Sequence, residues 1–499
     1  MSAVASATTQ SLADRRRWIG LAVVVAAQFM VILDVAIVNV ALPSIKTDLH
    51  FSEQGLQWVI TAYAIVFGGA LLLGGRLADL LGRRRIFVAG LAVFAVSSLL
   101  CGLAWSEASL ITFRALQGLG GALLAPATLS ILMTMFPEGP ERNTALGIWG
   151  AASGSGAASG VLLGGILTSY LSWSWIFFVN VPVAAIVIAL APVFLRESRV
   201  ETAQRRFDFA GAASVTTGLM LLVYALTRAT KNGWGSESTI ALLAVSTGFI
   251  VAFLAIELRS RAPLLPLRLF RVRTVAAANA AGVIVAAGTF SMFFLLTLYM
   301  QQVLDYSAMQ AGVAYLTITL AVVVFSNVAQ RLVTWLGAGR VLTSGLLMSA
   351  GALALFTQLP AHGHYFWDVF PALLLGGIGI ACSFVPTAIA SLAGVEARDA
   401  GVASGLLNTS RQIGGAVGLA VVSTIATTFT SHYADSHPGA GVSSAAALTH
   451  GFDVAFYVLA GAAVVGAAIA ALFVESRPRD AELVELRDPE GVAVVQEAA

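Results

Sequence analysis

The sequence predicts an all-α polytopic membrane protein with fourteen transmembrane helices, on three observations. The 499-residue chain is 58% hydrophobic and 11% charged, with a mean hydropathy of +0.86; a soluble domain carries about 25% charged residues. Apolar segments of the length that crosses a bilayer, about 20 residues, recur at 18–41, 56–76, 86–104, 109–133, 143–167, 175–195, 208–227, 239–257, 275–301, 311–330, 338–358, 368–394, 402–429 and 454–474. The basic residues keep step with them. Of 28 Lys and Arg, only Lys46, Arg228 and Lys231 fall in odd-numbered loops, and Arg114 and Arg411 lie inside spans. The rest gather on the side of both termini, which the positive-inside rule makes cytoplasmic. A miscounted span would scramble that pattern.

Residues 1–17 form a polar N-terminal tail ending in Arg15-Arg16-Arg17. The first span is expected to be retained, because it is too long for a signal peptide, contains Asp34 and Asn39, and precedes no small-residue cleavage site. A charged Asp at membrane depth costs roughly 2.5–3.5 kcal/mol on insertion scales. Two readings of Asp34 fit: a proton carrier or cation contact, and polar glue to a neighbouring helix.

The chain repeats itself. GRLADLLGRRR, after the second span, is echoed by QRLVTWLGAGR after the tenth. At an offset of 255, Arg76, Leu77, Gly82, Arg85, Gly90 and Leu91 meet Arg331, Leu332, Gly337, Arg340, Gly345 and Leu346. Duplicated bundles build a central cavity at their interface, and rocking of one against the other opens it to alternate sides. This predicts a six-helix bundle over 18–196, a two-helix insertion over 207–258, a second six-helix bundle over 270–474 and a cytoplasmic tail over 475–499. The basic loops RESRVETAQRR and ELRSRAPLLPLRLFRVR flank the insertion and read as linkers on anionic headgroups.

Four motifs in the first half carry chemistry. LDVAIVNVALP holds Asp34; GRLADLLGRRRIF is a Gly- and Arg-rich loop; LITFRALQGLGGA places Arg114 in the fourth span; GAASGVLLGG lies in the fifth. Asp34 is seven residues, about 10 Å, from the outer end of its helix, and Arg114 about 8 Å from the outer end of its own. The two can therefore share one level. They can pair when Asp34 is ionised and part when it is protonated; a static pair, or an Arg snorkelling to the interface, fits equally well. In the second half GLLNTSRQIGGAVGLA places Arg411 near mid-membrane, where it could meet an anionic or polar substrate or bond helix carbonyls.

These motifs resemble those of the fourteen-helix drug:proton antiporter family of the major facilitator superfamily, from Trp18 to Glu475. The resemblance implies the major facilitator fold, with proton coupling through Asp34 and Arg114. It implies a latch holding the outward-open form, built from Gly75, Asp79, Gly82, Arg83 and Arg84, with Asp79 accepting from Arg83 or from the start of the thirteenth span. It also implies an antiporter-type helix 5 motif at Gly156, Gly160, Gly164 and Gly165, and a substrate cavity with Asn39, Gln117 and Arg411 as candidates. The chain departs from the family pattern at four positions: Leu80 stands for a basic residue, Val161 for Pro, Ser174 for Arg and Asp305 for Gly. Val161 predicts a less kinked helix and leaves uptake open.

The second half shows no acid in the membrane interior, with Asp305, Asp368 and Asp453 at outer edges. Neutral, weakly anionic or monocationic amphipathic substrates are expected. No GxxxxGK[ST] loop occurs, so the proton gradient, not ATP, is the expected energy source. No cofactor, metal, nucleic-acid partner or enzymatic activity is expected. Cys101 and Cys382 read as buried thiols, and His50, His362, His364, His432, His437 and His450 as solvated loop residues. The reading is a monomeric exporter of drugs or antibiotics in the bacterial cytoplasmic membrane, in contact with protons and lipid. The alternatives are export of a metabolite, lipid or siderophore, and proton-coupled uptake.

Overall fold

The computed structural model describes residues 2–51, 53–199, 208–260, 263–437 and 441–475. The spanning helices are α1 (Arg15–Asp48), α2 (Trp58–Leu81), α3 (Arg83–Gly102), α4 (Glu107–Met135), α5 (Pro140–Tyr170), α6 (Trp175–Phe194), α7 (Phe209–Ala229), α8 (Glu237–Arg259), α9 (Arg273–Val303), α10 (Met309–Leu336), α11 (Ala338–Phe356), α12 (Tyr365–Ser391), α13 (Ala400–Ser436) and α14 (Ala445–Phe473). Thirteen of them are long and apolar enough to cross a membrane. The fourteenth, α5, has the length at 31 residues but is rich in Gly, Ala and Ser. It runs unbroken; the side chain of Val161 lies outside the described residues. Helices satisfy their backbone groups internally, as the bilayer core demands. Their ends are closed by side chains: Ser106, Ser236 and Ser444 each accept from a backbone N–H in the first turn.

The six helices α1–α6 pack mainly among themselves, as do α9–α14. Val24, Phe87, Phe94 and Leu124 centre the first core, and Tyr299, Phe356 and Phe456 the second. The halves meet where α2 and α4 touch α13 and where α5 touches α10 and α12. On the side of the two chain ends, hereafter the basic face, an apolar cluster closes this seam. Leu129, Leu132, Phe136, Leu146 and Trp149 there meet Ala388, Leu392, Ala403 and Leu407. The pair α7–α8 lies outside the two bundles, and α7 touches both α2 and α13. The internal repeat is visible in the backbone. Gly82, between α2 and α3, and Gly337, between α10 and α11, both take positive φ, 110° and 82°, a region that favours glycine.

One sequence expectation needs correction. The loops around the insertion do not simply lie on headgroups. Glu197 and Ser198 dock on the α2–α3 turn, the Arg83 N–H donating to the Ser198 carbonyl at 3.0 Å; residues 200–207 lie outside the described residues. Glu257 is buried and accepts from the Leu264 and Leu265 N–H groups at 2.9 and 3.2 Å. Leu264, Leu265 and Leu269 are buried against α2, α7, α8 and α13. The basic composition hid the acids and leucines that fold these linkers back. Asp453 sits two turns inside α14, which begins at Ala445, with Oδ1 buried and without a hydrogen-bond partner among the described residues. Cys101 and Cys382 are buried free thiols.

Asp305 adopts φ of 55° on an exposed loop, the left-handed region that costs an L-residue roughly 1–2 kcal/mol, less for Asp. Asp305→Gly is therefore expected to raise the apparent melting temperature in detergent, equivalent to at most about 1 kcal/mol. A lower melting temperature would show that the Asp side chain holds the loop.

Candidate functional site

The centre of the first bundle holds a fully enclosed polar network. Asp34 on α1 and Arg114 on α4 are 0% and 1% exposed, and Arg114 Nη1 donates to Asp34 Oδ2 at 2.7 Å. Asp34 Oδ1 accepts from Gln117 Nε2 at 2.8 Å and from Asn180 Nδ2 at 2.9 Å. Three donors from α4 and α6 thus meet one carboxylate on α1. Arg114 is held in turn. Its Nε donates to the Val59 carbonyl of α2 at 3.0 Å, and Nη1 also donates to Gln117 Oε1 at 2.7 Å. Its guanidinium lies 4.4 Å from the centre of the Tyr63 ring, within cation–π range. The Tyr63 hydroxyl is buried without a partner. Asn180 extends the network to Ser98, which donates to the Phe177 carbonyl.

A second buried carboxylate ties the halves together at the basic face. Asp79, at the end of α2, is 0% exposed and accepts from Arg83 Nη2 at 2.8 Å. Its two oxygens also accept from the N–H groups of Gly401 and Val402, each at 3.0 Å. These are orphan donors of the first turn of α13, where the helix dipole favours an anion. Such contact needs close backbones. A Cβ on Gly75 would stand 2.3 Å from the Gly401 carbonyl oxygen, and one on Gly401 would stand 2.4 Å from that of Gly75. Glu197 braces the adjoining turn: its carboxylate accepts from the Arg84 N–H at 3.2 Å and lies 3.7 and 3.8 Å from Arg84 and Arg85. Further bonds cross the seam on this face, from Asn143 to Thr334, Thr144 to Gln330 and Arg142 to the Leu392 carbonyl.

The α5 glycines divide. Gly156, Gly160 and Gly164 line one face against α1, where added Cβ atoms would stand 2.7–3.0 Å from Ile32, Ala36 and the Ile37 carbonyl. Gly165 faces elsewhere, toward Met309 of the other half. The cavity candidates divide too. Asn39 is exposed on α1 and donates to the Val35 carbonyl of its own helix. Gln117 is fully buried beside Asp34. Its spacing of three from Arg114 puts both on one helix face, a signal the sequence already held. Arg411 is 9% exposed, at the seam between α5, α12 and α13.

The pattern of the Major Facilitator Superfamily matches residues 24–419. The chain belongs to that superfamily. It is 39% identical over 472 residues to the puromycin resistance protein of Streptomyces alboniger, covering 94% of this chain and 93% of the relative. It is 42% identical over 432 residues to the cephamycin export protein of Amycolatopsis lactamdurans, covering 83% and 88%. A solved structure, the human organic anion transporter MFSD10, shares the fold with a TM-score of 0.65 at 16% identity, covering 91% of this chain and 99% of that one. The superfamily protein described here is thus a multi-pass membrane transporter by fold and by kinship.

Sequence reasoning passed over Asn180 and Glu197. Asn180 sits in WIFFVNVP as the polar residue of a strongly apolar run, which is a usable signal. Glu197 lies in a loop where composition pointed to lipid, and only the fold brings it to the Arg run.

The tight crossing of Gly75 with Gly401 makes a direct test. In a background carrying Asn143→Cys and Thr334→Cys, a disulfide should form readily across the seam. Adding Gly75→Ala should part α2 from α13 and lower its yield severalfold, read by gel mobility; an unchanged yield would show that this crossing does not hold the face shut.

Proposed function

We propose that the protein is a proton-coupled exporter of small amphipathic compounds, drugs or antibiotics among them, in the bacterial cytoplasmic membrane. The observation that carries the reading is the enclosed Asp34 carboxylate with its three side-chain donors. The relatives, one named for puromycin resistance and another for cephamycin export, support the direction and the class of cargo. Both termini face the cytoplasm, as the distribution of Lys and Arg indicates, so the basic face is the cytoplasmic one. The bundles 18–196 and 270–474 move against each other, and 207–258 is an insertion. The protein works as a monomer without a resident cofactor, driven by the proton gradient.

The mechanism follows from the bonds. Ionised Asp34 holds Arg114, Gln117 and Asn180 in one cluster and fixes α1 against α4 and α6. Protonation removes the charge that Arg114 is matched to and turns one carboxyl oxygen into a donor. Arg114 keeps its bonds to Gln117 and the Val59 carbonyl and its place on the Tyr63 ring. The hold on α1 loosens. Because α1 packs along the glycine face of α5, and α5 meets α10 and α12 across the seam, the shift reaches the other half. Asp79 and the Gly75–Gly401 crossing form the cytoplasmic latch, whose opening exposes the central site to the cytoplasm.

Inside-out vesicles energised by respiration and monitored with a pH-sensitive dye test this. An exported amphipathic compound should dissipate the gradient with the wild type, and Asp34→Asn should abolish that response. A response that survives Asp34→Asn would refute Asp34 as the carrier. Arg114→Leu should displace the pH profile of export, since it removes the charged partner of the Asp34 carboxylate. An unchanged profile would make the pair purely architectural.

A further inference from the structure

Four arginines are buried among the described residues: Arg83, Arg114, Arg142 and Arg411. Three have an acid: Arg83 has Asp79 at 2.8 Å, Arg114 has Asp34 at 2.7 Å and Arg142 has Glu138 at 3.3 Å. Arg411 pairs with no acid among the described residues. Its Nη2 donates to the Phe384 carbonyl at 3.1 Å, and its Nε is buried with no partner. The buried acids are all engaged elsewhere. Asp34 serves Arg114, Asp79 serves Arg83 and the start of α13, Glu257 takes the Leu264 and Leu265 N–H groups, and Asp399 takes Arg268. Asp453 lies on α14, which packs against α9, α11 and α13 and not at the seam.

The placement of this cation is specific. Arg411 lies about 16 Å along α13 from Ala400, at 1.5 Å per residue, well above the Asp79 contact. Its guanidinium carbon is 4.6 Å from the Phe384 ring centre on α12 and 5.8 Å from that of Trp149 on α5. It therefore stands where the two halves meet, flanked by one aromatic ring from each. A buried guanidinium with an unused donor, no counter-charge and aromatic walls is an incomplete ion pair. A planar carboxylate is its natural complement.

We infer that Arg411 is the recognition point for a single negative charge on the substrate, a carboxylate above all, with the apolar body of the molecule against Trp149 and Phe384. This rests on the exporter reading and narrows it to acidic amphiphiles. The bound anion supplies the charge that the protein omits. It also bridges a residue of the second half to a ring of the first, so binding is felt on both sides of the seam. Cations are disfavoured by the same charge.

The test is a matched pair of probes, pyrenebutyrate and pyrenebutanamide, which share an apolar body and differ in charge. Binding is measured by pyrene fluorescence on full-length protein in nanodiscs, at a pH where the acid is ionised. The wild type should prefer the acid by about tenfold or more, the worth of one charge-assisted contact. Arg411→Gln should lose the preference while still binding the amide, and Arg411→Lys should keep part of it. Wild type without a preference overturns the inference whether or not the variants fold. So does Arg411→Gln that keeps the preference, which would leave Arg411 a bracket between helices. Asp34→Asn separates the two proposals: it should abolish proton-coupled export and leave the preference for the acid intact. An intact preference in a protein that exports neither probe would sustain the anion site and count against the transport reading alone.

Discussion

A carboxylate enclosed by hydrocarbon persists only if its charge and lone pairs are met from within the protein. The structure is organised around two such groups. Asp34 draws α4 and α6 onto α1 through Arg114, Gln117 and Asn180. Asp79 draws the second half onto the first through the open N–H groups of α13. Removing one partner of a buried pair costs about 3–5 kcal/mol, because the survivor is left charged and unmatched. Each cluster is therefore stiff while its carboxylate is charged, and each loses its reason to exist when that charge is lost. The rest of the fold, small residues included, lets helices come close enough for these few bonds.

The closest approaches are made where side chains are missing. Gly75 meets Gly401, and Gly156, Gly160 and Gly164 of α5 meet α1, at distances that leave no room for a methyl group. Between helices in lipid there is no hydrophobic force to spare, so contact rests on packing and hydrogen bonds. Glycine serves both here. At Gly75 it admits a carbonyl; at Gly160 it lets α5 lie against the turn of α1 that carries Asp34. Asp34 thus lies beside the surface along which the two helices fit.

Much of this was legible in the sequence. Periodic apolar runs and the placement of Lys and Arg gave the helices, and the 1.5 Å rise put Asp34 and Arg114 at one depth. The repeat pointed to two bundles, and the paired positive φ of Gly82 and Gly337 shows why its glycines recur. What could not be read was tertiary. Nothing local says that Glu197 returns to Arg84 and Arg85 or that Glu257 caps its own linker. Gln117, three residues from Arg114, could be read as its neighbour on one helix face.

The pair α7–α8 has a mechanical consequence. Because α7 rests on both α2 and α13, a motion that parts those helices must also peel α7 from one of them. The linker beyond α8 adds a second fastening, since Arg268 holds Asp399 at 2.6 Å just ahead of α13. A hinge at this seam would carry the pair as a leaf spring on its outer side, since opening at the basic face would strip α7 from α2 or α13.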